Sequence, residues 1–343
     1  MTSTVPAVPV AVRQLRELML SAAWPAAIRA AARLGVADAL GDAPATAEDL
    51  AQQVGADPRA LYRLLRALSH QGVFAQEPDG RFVHSETSRL LRDGTPHSLR
   101  QMALWATEPW TWEVWPHLEN AVRSGGEVFH ELHGKEFFRH LHEDAPESAR
   151  VFDLAMTQAS NLSAHQLPSV LDLTGVHTVV DVAGGQGRTL AALLEANPGV
   201  RGVLFDLPEV IAHPDPRLTG DGALAARSEL VAGDCRHKVP VEADLYLLKN
   251  VLEWDDDSTV ATLRNVAASA RPGARVVVVE NLIDGSPEAR YTSSMDLLLM
   301  LNVGGKKHTE PELRALIERA GLVVEEVRPV NAYLHLIVAA VGR

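Results

Sequence analysis

From residue 12 the apolar positions recur at helical spacing, through VRQLRELMLSAAWPAAIRAAARLGVADAL to residue 40. Pro25 is expected to interrupt or kink this stretch, because proline lacks a backbone donor and its ring clashes with the preceding turn. The following ATAEDLAQQVGADPRALYRLLRALSHQGVF predicts two helices. Thr46 and Asp49 have the spacing of an N-terminal capping box, and Gly55 ends the first helix. Asp57-Pro58 opens the second helix and Gly72 ends it. GVFAQEPDGRFVHSE then predicts a hairpin turning at Asp79-Gly80. Helix, turn, helix and hairpin make a winged-helix pattern. Residues 96–166 read as mostly helical, and ALWATEPWTWEVW within them holds four tryptophans.

Beyond about residue 170 the pattern changes. HTVVDVAGG, RGVLFDLP, ADLYLLKNVL and ARVVVVENL are short apolar runs of strand length. TLAALLEANP, STVATLRNVAASARPG and EPELRALIERAG, between and after them, have helical spacing. This alternation predicts an α/β fold with a mostly parallel sheet covered on both faces. The closing VVEEVRPVNAYLHLIVAAVG predicts two more strands, an antiparallel hairpin completing the sheet. The expected division is a winged-helix domain over 1–100, a helical linker over 101–168 and the α/β domain over 169–343.

Composition narrows the function classes. The 343 residues are 46% apolar and 22% charged, which suits a soluble chain with a sizeable core. A formal net charge of -12 argues against general attraction to nucleic acid or anionic lipid, so neither is expected as a partner. The single cysteine, Cys235, allows no internal disulfide and fits a reducing cytoplasm. No apolar stretch has the length to span a membrane, and the first residues lack signal-peptide grammar.

The densest local motif is VVDVAGGQGRTLAALL, residues 179–194. A strand ends at Asp181, and Gly184, Gly185 and Gly187 lead into a helix. Glycines there let the backbone approach a ligand without an intervening Cβ. Asp206 follows about twenty residues on, at the next strand end, where an acid can hold the hydroxyls of a ribose. Asp234 and Lys249 lie at the next two strand ends. Open parallel sheets bind ligands at these ends. The turn lacks a plain G-x-G-x-x-G, so an adenosyl ligand without a pyrophosphate fits better than a dinucleotide.

At this point the chain resembles the S-adenosylmethionine-dependent small-molecule methyltransferases of the caffeate/hydroxyindole O-methyltransferase type, including their bacterial natural-product branch. The resemblance rests on DVAGGQG, FDLP, Gly233-Asp234, LLKNVL, EPWTWEVW, HGKEFFRHL and DLLLMLNVGGKKHTEPEL, and covers nearly the whole chain. It implies a Rossmann-like catalytic domain with S-adenosyl-L-methionine as cofactor, and a winged helix that makes a homodimer and caps the substrate. It implies that Gly184, Gly185 and Asp181 line the methionine portion and that Asp206, with Leu207, holds the ribose. Asp234 and Cys235 would flank the adenine, Lys249 would meet the ligand from its strand end, and Phe152, Met156 and Ser160 would close over it. Trp110, Asn250, Met295, Met300 and Asn302 are implied as walls for an aromatic small-molecule substrate.

The chemistry departs from that pattern. The family reads K-x-x-L-H-D-W-x-D after the fourth strand, its histidine being the general base; here the text is KNVLEWDDD. Either Glu253 stands in the histidine's place, or the histidine is deleted and Glu253 replaces the next aspartate. The family's G-G-x-E-R-T reads GGKKHT, so Lys307 replaces a supporting glutamate and His308 an arginine, while a second supporting acid is kept as Glu280. His133, in the pocket-lining ELHGKEFF, and His308 are alternative bases. An unperturbed glutamate, near ~4.3, is a weak base for a phenol near ~10. The acids at 255–257 are expected mainly to open a helix, Asp256 or Asp257 lying at its start. The expectation is a methyltransferase acting on a hydroxylated aromatic, by O-methylation first. C-methylation of a phenol-activated ring carbon, or a non-methylating relative or winged-helix regulator, are the alternatives.

Overall fold

The computed structural model describes residues 8–341. The chain forms two compact units, residues 1–109 and 110–343. The helical stretch expected as a linker is thus divided, most of it packing within the second unit.

In the first unit the opening periodicity becomes three helices, α1 (Val10–Met19), α2 (Ala23–Leu34) and α3 (Val36–Leu40). The break falls upstream of Pro25, which sits in the first turn of α2, where its missing N–H costs nothing. Then come α4 (Ala47–Val54) and α5 (Pro58–His70), followed by strands β1 (Phe74–Gln76) and β2 (Phe82–His84). Thr46 and Asp49 form the expected capping box on α4, and Asp57 caps α5 by accepting from the Ala60 amide at 2.8 Å. The two strands pair antiparallel, Phe74 opposite His84. Leu50, Leu61, Leu65, Leu68, Phe74 and Phe82 form this unit's core. α1 buries none of its side chains: Val10, Val12, Leu15, Leu18 and Met19 are all exposed.

Short helices follow: α6 (Glu86–Arg89), α7 (Arg100–Trp105), α8 (Pro109–Val114), α9 (Leu118–Ser124), α10 (Phe129–His133) and α11 (Phe137–Asp144). The 25-residue α12 (Pro146–Val170) leads into the sheet. That sheet contains β3 (Thr178–Val182), β4 (Arg201–Asp206), β5 (Ser228–Ala232), β6 (Leu245–Lys249), β7 (Arg275–Glu280), β8 (Leu322–Pro329) and β9 (His335–Val341). Interleaved are α13 (Arg188–Ala196), α14 (Pro208–Ile211), α15 (Asp256–Ser269), α16 (Ala289–Val303) and α17 (Glu310–Arg319).

The strand order is β5-β4-β3-β6-β7-β9-β8. The first five are parallel and β9 runs antiparallel to both neighbours, as the sequence pattern predicts. Side chains alternate between two cores: Val180, Val182, Tyr246, Leu248, Val276 and Val278 face one way, and Val179, Leu245, Leu247, Val277 and Val279 the other. Burial on both faces explains the near-continuous apolar runs. β3 and β6 are neighbours, with the connections leaving β3 on one side and β6 on the other. This is a topological switch point, whose crevice lies beyond the carboxyl ends of the strands.

Candidate active site

The crevice begins at Asp181, buried at the end of β3, whose Oδ2 has no hydrogen-bond partner among the described residues. Ala183 (φ 50°) and Gly185 (φ 62°) turn the backbone, and Gly187 (φ 82°) starts α13. A Cβ on Gly184 would lie 2.6 Å from the Asp181 carboxyl carbon and 2.7 Å from Leu204, so only glycine lets the loop close on β3 and β4. The Gly185 amide donates to Asp206 Oδ2 at 2.7 Å, and the Leu207 amide to Oδ1 at 2.7 Å.

Three acids here are poorly hydrated. Burial pushes Asp181 up to about 7, the Lys249 ammonium opposing and Asp206 adding to it. Burial pushes Asp206 up to about 6, although its two backbone bonds pull the other way. Asp153 on α12 is pushed up to about 7 by burial and by the charge of Asp206. A desolvated acidic cradle with an orphaned carboxylate oxygen fits a cationic ligand carrying hydroxyl groups.

α12 is stitched to this cradle. Lys249 donates to Ser160 Oγ at 3.0 Å. Thr157 donates to Gln186 in the glycine loop at 2.9 Å, and Arg188 donates to Asn161 at 2.6 Å. Phe152, one face over, meets Trp110, Phe137 and Phe138 at ring separations of 6.3, 5.9 and 6.0 Å. Met156 lies half-buried between these contacts in sequence. Asp153, Thr157, Asn161, Gln186 and Arg188 were not singled out from the sequence. The three on α12 share a signal, the helical spacing of 153, 157, 160 and 161, which places polar groups along one face; Gln186 and Arg188 carry only their place in the glycine-rich turn.

Asp234 is committed to the protein. Burial works against its charge, but Arg236, donating at 2.8 Å, outweighs this and holds the carboxyl below its usual range. Arg236 also reaches Glu136 at 3.1 Å and lies over the Trp254 ring. Cys235 is buried, and burial with the charges of Asp234 and Asp206 pushes its thiol up to about 12.

The residues expected to wall the substrate lie on α8, just past β6 and on α16. Trp110 is buried edge-to-face against Phe137 at 4.9 Å. Asn250, just past β6, holds a left-handed φ of 52° and is exposed. On α16, Met295 and Met300 are half-buried, and Asn302 is buried with Oδ1 lacking a partner among the described residues.

The two departures from the family pattern meet each other. The Lys307 ammonium binds Glu253 Oε1 and lies 3.4 Å from Glu280 Oε2. Glu280 accepts from the amides of Val251 (2.8 Å) and Leu252 (3.1 Å), fixing the loop after β6. Burial opposes the charge of Lys307, yet the two carboxylates prevail and push it up to about 12. Burial pushes Glu280 up to about 7 against the pull of Lys307. A Cβ on Gly305 would lie 1.8 Å from the Glu253 carbonyl oxygen, so glycine there permits the close approach of the two segments. His308 packs into the same wall, its Nε2 3.0 Å from the Leu252 carbonyl, and burial lowers its pKa. His133 instead lies tilted against Phe129 (4.3 Å) and His140 (4.4 Å), and burial holds it toward the neutral form. The acids after Glu253 open α15 as expected: Asp256 and Asp257 lie in its first turn, and Asp255 accepts the amides of Asp257 and Ser258 as its cap. Among the described residues no cluster of acids, histidines or cysteine has the arrangement of a metal site.

Comparison with known proteins agrees with this geometry. Residues 115–323 match the O-methyltransferase domain and residues 16–93 the O-methyltransferase dimerisation domain. The chain is 40% identical to mitomycin biosynthesis 6-O-methyltransferase of Streptomyces lavendulae, over 92% of this chain and 90% of that protein. The structure of a mitomycin 7-O-methyltransferase superposes with a TM-score of 0.86 at 38% identity, covering 97% of this chain and 98% of the other. An O-methyltransferase from neocarzinostatin biosynthesis, solved with S-adenosyl-L-homocysteine and 1,4-dihydroxy-2-naphthoic acid, superposes at 0.77 and 31% identity, covering 97% and 99%. The chain belongs to the O-methyltransferase family and is an S-adenosylmethionine-dependent methyltransferase.

Proposed function

We propose that the enzyme methylates a hydroxyl group on an aromatic small molecule of secondary metabolism. The observation that carries this is the acidic cradle at the strand ends beside an aromatic and thioether wall. In this reading Asp181, Gly184, Gly185, Asp206, Leu207, Asp234, Cys235 and Lys249 surround the cofactor, with Phe152, Met156 and Ser160 covering it. S-adenosylmethionine would supply an electrophilic methyl group. The protein's part is then to fix the acceptor atom in line with that methyl and to keep water away, since such displacement depends mainly on orientation. Trp110, Asn250, Met295, Met300 and Asn302 hold the ring, and flat apolar side chains suit that task. Glu253 receives the hydrogen of the reacting group, Glu280 orients the Glu253 loop, and His133 closes the aromatic side of the pocket.

The relatives, one a 6-O-methyltransferase of mitomycin biosynthesis and one solved with 1,4-dihydroxy-2-naphthoic acid, support a fused, oxygenated ring system. We place the enzyme in the cytoplasm, where a lone buried thiol is stable, and read it as a homodimer built on residues 1–100. Residues 101–168 shape the pocket and 169–343 carry the cofactor in this reading. Turnover of a panel of hydroxylated arenes, with carbon NMR on the product, tests the reaction. A new methoxy carbon is expected; a new ring-methyl carbon would move the assignment to C-methylation. Calorimetry should show S-adenosylhomocysteine binding, and its absence would sink the proposal.

A further inference from the structure

The charge beside the acceptor position has an unusual sign. Lys307 is shared by Glu253 and Glu280, so a single ammonium faces two carboxylates. Of the three side chains Glu253 is the most open: it is 19% exposed, against 4% for Lys307 and 3% for Glu280. Lys307 engages Oε1, and Oε2 makes no hydrogen bond among the described residues. The neighbouring Lys249 is directed to Ser160 on α12. The imidazole nearest in sequence, His308, is tied to the Leu252 carbonyl inside the wall. A reacting group placed beside this edge would meet a carboxylate oxygen, with the nearby positive charge already balanced behind it.

This edge suits a nucleophile that enters neutral and becomes positive. An oxyanion placed there would be repelled by Glu253. A neutral hydroxyl would have to give up its proton by the transition state, beside an edge that already carries more acid than base. A neutral amine has neither difficulty. Its N–H groups donate to acceptors, and the crevice side offers Glu253 Oε2. The buried Asn302 amide oxygen, unpaired among the described residues, lies three residues before Gly305, which abuts the Glu253 backbone. We propose that the enzyme also N-methylates aromatic amines, with Glu253 as the group that stabilises and then deprotonates the reacting nitrogen.

The step balances without another reactant. The nitrogen lone pair forms the N–C bond to the methyl carbon. The C–S bond breaks and its electron pair goes to sulfur, leaving neutral S-adenosylhomocysteine. Positive charge moves from sulfur to nitrogen, toward the carboxylate. The resulting arylammonium is about as acidic as a carboxylic acid, so one proton passes to Glu253 and on to water. The product is an N-methylarylamine. Electrostatic stabilisation of this kind acts on charge that develops during the reaction.

The inference rests on the aromatic-substrate reading above, and one assay separates the two. Ring-matched pairs, such as 1-aminonaphthalene with 1-hydroxynaphthalene and further fused-ring pairs, are incubated with S-adenosylmethionine, and the site of the methyl is read by NMR. The expected result is N-methylation of the amine at kcat/KM within about tenfold of O-methylation of its hydroxyl partner at pH 7. The Glu253→Gln variant should lose about 100-fold in kcat on the amine. Calorimetry of the same amine on protein loaded with S-adenosylhomocysteine should show binding within a few-fold of the parent, because Gln still accepts a hydrogen bond. Methylation of the hydroxyl members alone overturns the inference and leaves the O-methylation reading standing. Methylation of neither overturns both, and unchanged amine turnover in Glu253→Gln removes Glu253 from the step.

Discussion

Asp153 shows how a single side chain trades stability for an electrostatic environment. Burial, reinforced by Asp206, pushes its carboxyl up to about 7 in the folded chain, whereas unfolded aspartate titrates near ~3.9. The folded state therefore keeps a proton that the unfolded state gives up, and stability falls as pH rises through this window. The penalty is absent below the unfolded pKa, grows up to about 7 and stays constant above it. Replacing Asp153 by Asn removes the ionisable group at nearly constant shape. The apo-enzyme carrying Asp153→Asn should gain about 1–4 kcal/mol over the parent at pH 8, with the gain vanishing toward pH 4. Urea denaturation at both pH values measures this. A gain that does not change with pH would mean that packing, not charge, sets the effect.

At the scale of elements, the cofactor cradle depends on one long helix being held against one loop. α12 reaches the glycine loop through Thr157–Gln186 and Arg188–Asn161, and reaches β6 through Lys249–Ser160. Its hydrogen-bonding face thus fixes where Phe152 and Met156 lie. A lost side-chain hydrogen bond is worth about 1 kcal/mol, so the pair Thr157→Val and Asn161→Leu should weaken S-adenosylhomocysteine binding by roughly tenfold or more. Amide exchange should speed up across residues 183–188 while β3 and β6 keep their protection. Unchanged exchange in the loop would show that the helix does not hold it.

The same contacts explain what could be read from sequence and what could not. Asp181, Gly184 and Asp206 stand out because their geometry is local: strand end, tight turn and next strand end follow at short, regular spacing. The parallel sheet was legible because both faces of each strand are buried, and the capping box on α4 because it spans only three residues. The Glu253–Lys307 pair was not, since its members are 54 residues apart and each alone looks like an isolated departure from a pattern. Pro25 was misplaced as a break because proline is tolerated in a helix's first turn, and the true break at 20–22 carries no strong signal.

At the scale of the whole molecule, the chain carries an amphipathic helix whose apolar face is left uncovered among the described residues. α1 exposes Val10, Val12, Leu15, Leu18 and Met19, and the same unit has an open groove of about 710 Å³ lined by Trp24, Arg63, Leu64, Arg66 and His70. A continuous exposed apolar face is costly in water and marks a contact surface. Residues 16–93 match a dimerisation domain, and the prediction is that a second copy covers this face. Two copies each carrying -12 repel one another, so the dimer should tighten as salt screens that repulsion. Sedimentation velocity of the parent should give twice the 37.1 kDa chain mass. The double variant Leu15→Glu, Leu18→Glu should sediment as a monomer with an unchanged circular dichroism spectrum, because neither side chain is buried within the chain. A variant that stays dimeric would place the interface elsewhere, and a parent that is monomeric at micromolar concentration would remove the dimer from the account.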